Sequence, residues 1–238
     1  MDASGGGTTR RGAVLALAAT VLGYMLIVAG IGALLRVLAA DRSTADPRSV
    51  VVLKITASAI GQFLGLLFLG VVLRQRGLTF HDLGLGRSAR PWSWVAAGIL
   101  TALFVFVLVQ GPLKGRIAWS DASAFRLYTA VVAGVAAGVG EEILFRGYVM
   151  TELARGGVGI AGQLVGSAVL FGLAHVGWST IGQAGGAALA PIINTAVAGF
   201  LYGVVYLLAG RSLLPVVAAH ALTDMLIEPW LLLAMVSR

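Results

Sequence analysis

Seven long apolar runs restrict the fold of this chain more than any other feature. They lie at residues 13–38, 50–73, 93–111, 126–150, 160–177, 188–209 and 213–236. A membrane-crossing helix needs about 20 predominantly apolar residues. Backbone groups in lipid must be hydrogen-bonded within the protein, so such runs form helices, whereas a barrel would show alternating segments of about ten residues. The sequence therefore predicts an all-α, polytopic transmembrane bundle of about seven spans, with six to eight as the range.

Composition and glycine spacing support one membrane domain over residues 13–238. The chain is 58% hydrophobic and 11% charged, whereas a soluble domain carries roughly a quarter charged residues. The Gly-rich start, 1–12, is predicted to be disordered. Pairs of glycines four apart predict close helix packing in lipid; they are Gly61 with Gly65, Gly134 with Gly138, Gly162 with Gly166, and Gly199 with Gly203.

The distribution of charge excludes nucleic acid as a partner and bears on orientation. The net charge is +7, but Lys and Arg stand singly or in pairs between the runs, as in membrane proteins. With a cytoplasmic N-terminus, nine Lys and Arg residues fall on that side and eight on the other. This slight excess favours a cytoplasmic N-terminus in a bacterial-type cell membrane. The chain has no cysteine, which excludes disulfides and thiolate metal sites. The oligomeric state stays open.

Three polar clusters interrupt the later apolar runs. A charged group at the centre of a bilayer costs a few kcal/mol or more, and such groups usually face a bundle interior or a water-filled cavity. The clusters are Glu141, Glu142 and Arg146; Phe171 and His175; and His220 and Asp224. Taken singly, each has a structural explanation, as a surface ion pair or a packed histidine. Their occurrence in three separate runs favours a shared site.

Helical geometry separates the roles of the two adjacent glutamates. Residues four apart share a helix face, so Glu142 and Arg146 are predicted to pair. Glu141 points about 100° away around the axis and is predicted to be free. A carboxylate without a cationic partner suits a general base.

The two histidines also have neighbours at a spacing of four. Asp224 is predicted to bind one ring nitrogen of His220 and to leave the other facing a ligand or water. Phe171 is predicted to shield one side of His175. Phe145, inside the first cluster, is predicted to line a substrate pocket or to pack within the bundle.

The three clusters together resemble the motifs of the CPBP family of intramembrane proteases, which includes CAAX prenyl endopeptidases and bacteriocin-processing or self-immunity proteins. The matching stretches are "EEILFRG", "FGLAH" and "HALTD", in that order, and the resemblance covers about residues 125–228. It implies a protease-like core there and an endopeptidase acting near the C-terminus of a prenylated protein or on another membrane peptide. Asp224 stands where the family commonly has Asn, so it donates a hydrogen bond only when protonated.

The resemblance implies a hydrolytic mechanism and leaves its metal dependence open. In one interpretation Glu141, assisted by His175, activates water, and His220 with Asp224 stabilises the oxyanion. In another, His175, His220 and Glu141 hold zinc. The metal-free interpretation is preferred here. Two non-enzymatic alternatives are a self-immunity or scaffold protein and a proton-coupled transporter.

Overall fold

The computed structural model describes residues 10–38, 46–121, 123–176 and 189–236, and over these residues all regular secondary structure is helical. The elements are α1 (Arg10–Leu38), α2 (Pro47–Gln75), α3 (Pro91–Gln110), α4 (Ala124–Glu142), a π-helical segment (Ile143–Val149), α5 (Met150–Arg155), α6 (Ile160–Ala174), α7 (Leu189–Leu208) and α8 (Leu214–Val236). In this part of the chain, six stretches are long and apolar enough to cross a membrane. The predicted polytopic bundle is confirmed.

Predicted and observed spans agree closely at most ends. The runs 188–209 and 213–236 correspond to α7 and α8 to within one residue. The run 160–177 gives only the 15 residues of α6. This helix is about 22 Å long at 1.5 Å per residue, less than the roughly 30 Å of the hydrocarbon core. The bundle therefore has six full-length spans and one shorter helix in the described residues.

The predicted disordered start, 1–12, falls mostly outside the described residues. Only its last three residues are described, and for them the prediction is wrong. The first helix already begins at Arg10, because helical structure continues about one turn ahead of the first apolar run.

The fourth span is one helical stretch, Ala124–Arg155, with a wider turn in its middle. In the π-helical segment the N–H of Met150 reaches the carbonyl of Phe145, five residues back. Ser167 of α6 donates a second hydrogen bond to this carbonyl, with 3.0 Å between Oγ and O. Single π-helical turns occur frequently at functional sites, and this one carries Arg146 of the first cluster.

Glycines allow α4 and α8 to approach at backbone distance. A Cβ atom added at Gly138 would lie 2.8 Å from the backbone nitrogen of Ala221, and one at Gly134 would lie 2.5 Å from the carbonyl oxygen of Ala221. Small residues at such a crossing are what permits close contact between helices in lipid. This contact places Glu142, at the end of α4, beside His220 of α8.

Glycines also allow close contact between α1 and α2 and between α6 and α7. A Cβ atom at Gly61 would lie 2.8 Å from the Cα of Val28, and one at Gly199 would lie 2.9 Å from the ring of Phe171. The remaining predicted pair differs, since its two glycines, Gly162 and Gly166, meet the side chains of Val158 and Leu153 respectively. The three predicted pairs in α2, α4 and α7 therefore lie at contacts with α1, α8 and α6, respectively.

Large apolar side chains also cover the outer surface of the bundle. Among those more than 60% exposed are Leu15, Phe63, Phe106 and Ile160. A soluble monomer rarely exposes a contiguous apolar surface of this kind, whereas lipid tails solvate it. The exposed surface and the six spans together identify a multi-pass integral membrane protein.

Candidate active site

Arg146 and Glu142 form a fully buried ion pair. Arg146 Nη1 donates to Glu142 Oε1 at 2.7 Å, and both side chains have 0% exposure. Arg146 Nη2 donates to the carbonyl of Gly199 in α7 at 2.9 Å. The guanidinium carbon lies 4.4 Å from the centroid of the Phe171 ring. The predicted pair is confirmed, and it connects the fourth span to α6 and α7.

His220 lies between two carboxylates. Its Nδ1 is 2.7 Å from Glu142 Oε1, and its Nε2 is 3.4 Å from Asp224 Oδ2. The prediction that one nitrogen would face a ligand is wrong, because the packing of α4 on α8 places Glu142 against that nitrogen. Tyr202 of α7 stacks on the imidazole, with ring centroids 4.8 Å apart and planes 17° apart. The orientation of the His220 ring is thus fixed on three sides.

Glu141 points away from Arg146, as the 100° step predicts, but it is not free. Gln62 of α2 donates from Nε2 to Glu141 Oε1 at 3.1 Å. Glu141 Oε2 has no hydrogen-bond partner among the described residues, and it lies 3.9 Å from Nε2 of His175. The prediction of a free carboxylate failed because its partner comes from α2, which is distant in the sequence.

His175 immediately follows the last residue of α6. Its Nδ1 is 2.8 Å from the carbonyl oxygen of Phe171. A carbonyl only accepts hydrogen bonds, so Nδ1 carries a proton and, in the neutral ring, Nε2 is unprotonated. The Phe171 ring lies 4.7 Å from the His175 ring and 6.0 Å from the His220 ring, centroid to centroid. Phe171 therefore contacts both imidazoles, and its predicted shielding of His175 is confirmed.

Of its two predicted roles, pocket lining and packing, Phe145 has the packing role. It is 1% exposed and meets Phe171 edge to face, with ring centroids 5.1 Å apart and planes 87° apart. Phe171 itself is 2% exposed. The two rings hold the π-helical segment against α6 and line no open surface.

The polar residues form an inner and an outer layer. Glu142 and Arg146 are fully buried, whereas the side chains of Glu141, His175 and Asp224 are 17%, 19% and 16% exposed. Substrate chemistry needs groups that an incoming molecule can reach. The side chains of the outer three residues are partly exposed, although the Oε2 atom of Glu141 is itself buried.

The candidate metal ligands do not form a zinc-binding set in this arrangement. Both nitrogens of His220 face carboxylates. Catalytic zinc is held by three protein ligands that converge on one point. In the part of the chain that the structure describes, no group of three or more His, Asp or Glu side chains could hold a metal ion. Glu141 lies near His175, and Phe171 contacts both imidazoles, but these residues form no such group.

Four further residues belong to the site and were not predicted. Gln62 contacts Glu141, Tyr24 contacts Gln62, Tyr202 stacks on His220, and the Gly199 carbonyl binds Arg146. The signal that could have found Gln62 is its amide in the middle of an apolar run. A backbone carbonyl such as that of Gly199 leaves no signal in the sequence.

The comparison with known families covers the same part of the chain. Residues 121–226 match the sequence model of a family described as type II CAAX prenyl endopeptidase Rce1-like. No curated protein and no solved structure gives a significant match. The matched stretch begins just before α4, ends within α8 and contains all three polar clusters in order. Over this stretch, which is less than half of its length, the chain is similar to the type II CAAX prenyl endopeptidases of the CPBP family of membrane proteases.

Proposed function

We propose that this protein is an intramembrane endopeptidase in which Glu141 and His175 activate a water molecule. The observation that carries the proposal is the 3.9 Å separation of Glu141 Oε2 and His175 Nε2. Polar atoms more than 3.5 Å apart are often bridged by water. A single water molecule placed beside the line joining these two atoms would lie within hydrogen-bond distance of both.

The two side chains have complementary protonation for this task. Nδ1 of His175 is held as a donor by the Phe171 carbonyl, which leaves Nε2 to accept a hydrogen bond from the water. Glu141 Oε2 accepts the proton when the water oxygen attacks the scissile carbonyl, and it returns the proton to the leaving amine nitrogen. A positioned general base of this kind contributes about 10²- to 10⁴-fold in rate.

His220 and Asp224 are proposed to stabilise the negatively charged tetrahedral oxygen. When both nitrogens of His220 are protonated, Nδ1–H binds Glu142 and Nε2–H lies beside Asp224, at the more exposed side of the ring. The Nε2–H group is the donor available to the oxyanion. Arg146 acts indirectly, because it binds the Glu142 carboxylate that orients His220.

The proposed substrate is a membrane-embedded peptide, in particular the C-terminus of a prenylated protein. The family description names a CAAX prenyl endopeptidase. A site carried on spans of a bundle with a lipid-facing surface suits a substrate that reaches it from the membrane. We propose no metal cofactor for this reaction.

The test is cleavage of an internally quenched, farnesylated peptide ending in a CAAX sequence, by purified protein in detergent. Glu141→Gln removes the base and keeps the shape of the side chain, so kcat is expected to fall at least about 100-fold. Glu152→Gln is the matched control, because Glu152 is a buried carboxylate in the same span that pairs with Arg76 away from the site. The control is expected to keep kcat within about twofold.

Three results would contradict the proposal. They are the absence of cleavage by the wild type on both this peptide and its non-prenylated analogue, full activity of Glu141→Gln, and loss of activity on chelation with recovery on zinc. Full biological activity with Glu141→Gln would favour the scaffold or immunity alternative. Proton flux into liposomes that is lost in the same variant would favour the transporter.

We also propose that the N-terminus faces the cytoplasm of a bacterial-type cell. The slight excess of Lys and Arg supports this orientation. A cysteine introduced at the N-terminus should react with a membrane-impermeant maleimide only after the cells are lysed. Labelling of intact cells would reverse the orientation.

A further inference from the structure

We infer that Gln62 of α2 is a positioning residue for Glu141 and that Tyr24 of α1 fixes the orientation of Gln62. Both residues precede the stretch 121–226 that matches the family. The inference rests on the proposed function, because a positioning role requires that Glu141 act as the base. It extends the site to a part of the chain that the family match does not reach.

Gln62 fixes one oxygen of the Glu141 carboxylate and leaves the other available. The amide is 5% exposed, and its Nε2 donates to Oε1 at 3.1 Å. Oε2 then faces Nε2 of His175 at 3.9 Å. Because a carboxylate is planar, a hydrogen bond to one oxygen also restricts where the second oxygen points.

Tyr24 determines which end of the Gln62 amide faces Glu141. The phenol oxygen is 2.7 Å from Gln62 Oε1, and Tyr24 is 1% exposed. An amide oxygen only accepts, so the phenol O–H is the donor. With Oε1 committed to Tyr24, the NH₂ group is the end that points at Glu141. The result is a directed chain from Tyr24 through Gln62 to the carboxylate.

Two glycines leave the space that this chain occupies. A Cβ atom at Gly140 would lie 2.5 Å from Gln62 Oε1 and 3.0 Å from the Tyr24 hydroxyl oxygen. A Cβ atom at Gly65 would lie 2.7 Å from the Tyr24 ring. Gly140 directly precedes the two glutamates, so the proposed base and the gap that admits its amide partner are adjacent in the sequence.

Loss of the amide donor should affect turnover more than substrate binding. In Gln62→Leu the carboxylate loses its fixed direction but stays in place. A hydrogen bond to a charged group is worth enough to change a rate by about 10- to 100-fold. We expect kcat to fall by that factor with KM changed less than about twofold. Tyr24→Phe should lower kcat by a smaller factor, about 2- to 10-fold, because the amide can then turn.

The variant Gln62→Glu gives a readout that a merely structural role would not produce. The introduced carboxyl donates to Glu141 only while it is protonated, and two adjacent carboxyls share one proton over a limited pH range. Activity should therefore survive at lower pH and fall at a pH where the wild type is still active. Gln62→Leu introduces no titratable group, so it should not shift the high-pH side of the pH–activity profile.

The matched control is Gln163→Leu. Gln163 is another buried glutamine, 4% exposed, and its amide binds the Val158 carbonyl at 2.6 Å, away from the site. The control is expected to lower thermal stability and to leave the kcat of the folded protein unchanged. Equal kcat losses in Gln62→Leu and Gln163→Leu would overturn the inference.

The experiment uses the farnesylated CAAX peptide and separates the two possible failures. If Glu141→Gln is inactive but Gln62→Leu keeps wild-type kcat, the positioning role is wrong and the proposed function stands. If Glu141→Gln is fully active, the proposed function itself is wrong. A thermal double-mutant cycle of Gln62→Leu with Glu141→Leu needs no turnover, because each replacement removes the hydrogen bond between the two side chains. Additive melting-temperature shifts in that cycle would also overturn the inference.

Discussion

Replacement of Arg146 by methionine should destabilise the protein far more than replacement of an exposed arginine. Arg146 has 0% exposure and binds both the Glu142 carboxylate and the Gly199 carbonyl. Without Arg146 the buried Glu142 carboxylate keeps only its contact with His220 among the described residues, and removing one partner of a buried ion pair costs about 3 to 5 kcal/mol. At about 2 to 4 °C per kcal/mol for a chain of this size, the melting temperature should fall by about 6 to 20 °C.

A double variant separates the charge effect from lost packing. In Glu142→Gln with Arg146→Met the inner pair is neutral, and the amide oxygen still accepts from Nδ1 of His220. At least half of the lost stability should return, since well-packed neutral replacements of buried ion pairs are often tolerated. Activity should not return, because the negative charge beside Nδ1 of His220 is gone.

The assay is thermal unfolding of detergent-purified protein, followed by intrinsic fluorescence and by the monodisperse fraction after heating. Arg155→Met is the matched control, since its guanidinium is 54% exposed and 3.7 Å from Glu152. An exposed pair of this kind is worth about 0 to 1 kcal/mol, so its shift should stay within about 4 °C. Equal melting temperatures for the single and double variants would refute the buried-charge explanation and assign the loss to packing of the Arg146 side chain.

Two further variants probe the positions around this pair. Gly138→Ala places a Cβ atom 2.8 Å from the backbone of Ala221 and should lower both the melting temperature and kcat, because it separates α4 from α8. The control Gly98→Ala has open space around it and should be neutral or slightly stabilising. Similar effects of the two substitutions would contradict the close-packing argument. Asp224→Asn should keep at least the wild-type kcat, because its amide donates a hydrogen bond at any pH. Asp224→Leu should lower the kcat of peptide cleavage by about 10²- to 10³-fold. An inactive Asp224→Asn variant would contradict an oxyanion role.

The elements that depend on local sequence were predicted well. Helix ends such as those of α7 and α8 follow from the lengths of the apolar runs, because lipid leaves the backbone no alternative to internal hydrogen bonds. The pair of Glu142 and Arg146 follows from its spacing of four, and it forms even though the helix widens into a π turn at that point. The direction of Glu141, away from Arg146, follows from the same geometry.

The contacts that complete the site join residues far apart in the chain. His220 and Glu142 are 78 positions apart, and Gln62 and Glu141 are 79 apart. Run lengths and helical spacing say which face a residue occupies but not which helix lies opposite. The second partner of His220 was mispredicted for this reason, since Asp224 is the only carboxylate within one helical turn of it in the sequence.

The different surroundings of the two adjacent glutamates explain how one helix end can supply both a support and a reactive group. Glu142 faces α8, where its Oε1 atom lies against His220, and the same atom pairs with Arg146 of its own span. Glu141 faces α2 and the end of α6. The neutral amide of Gln62 donates to one of its oxygens, and the other oxygen lies near His175. The Glu142 charge is held by a cation at 0% exposure, whereas Glu141 is held by a neutral amide at 17% exposure, which leaves it one oxygen for the proposed chemistry. The first two helices, which carry no recognisable motif, therefore make part of that difference.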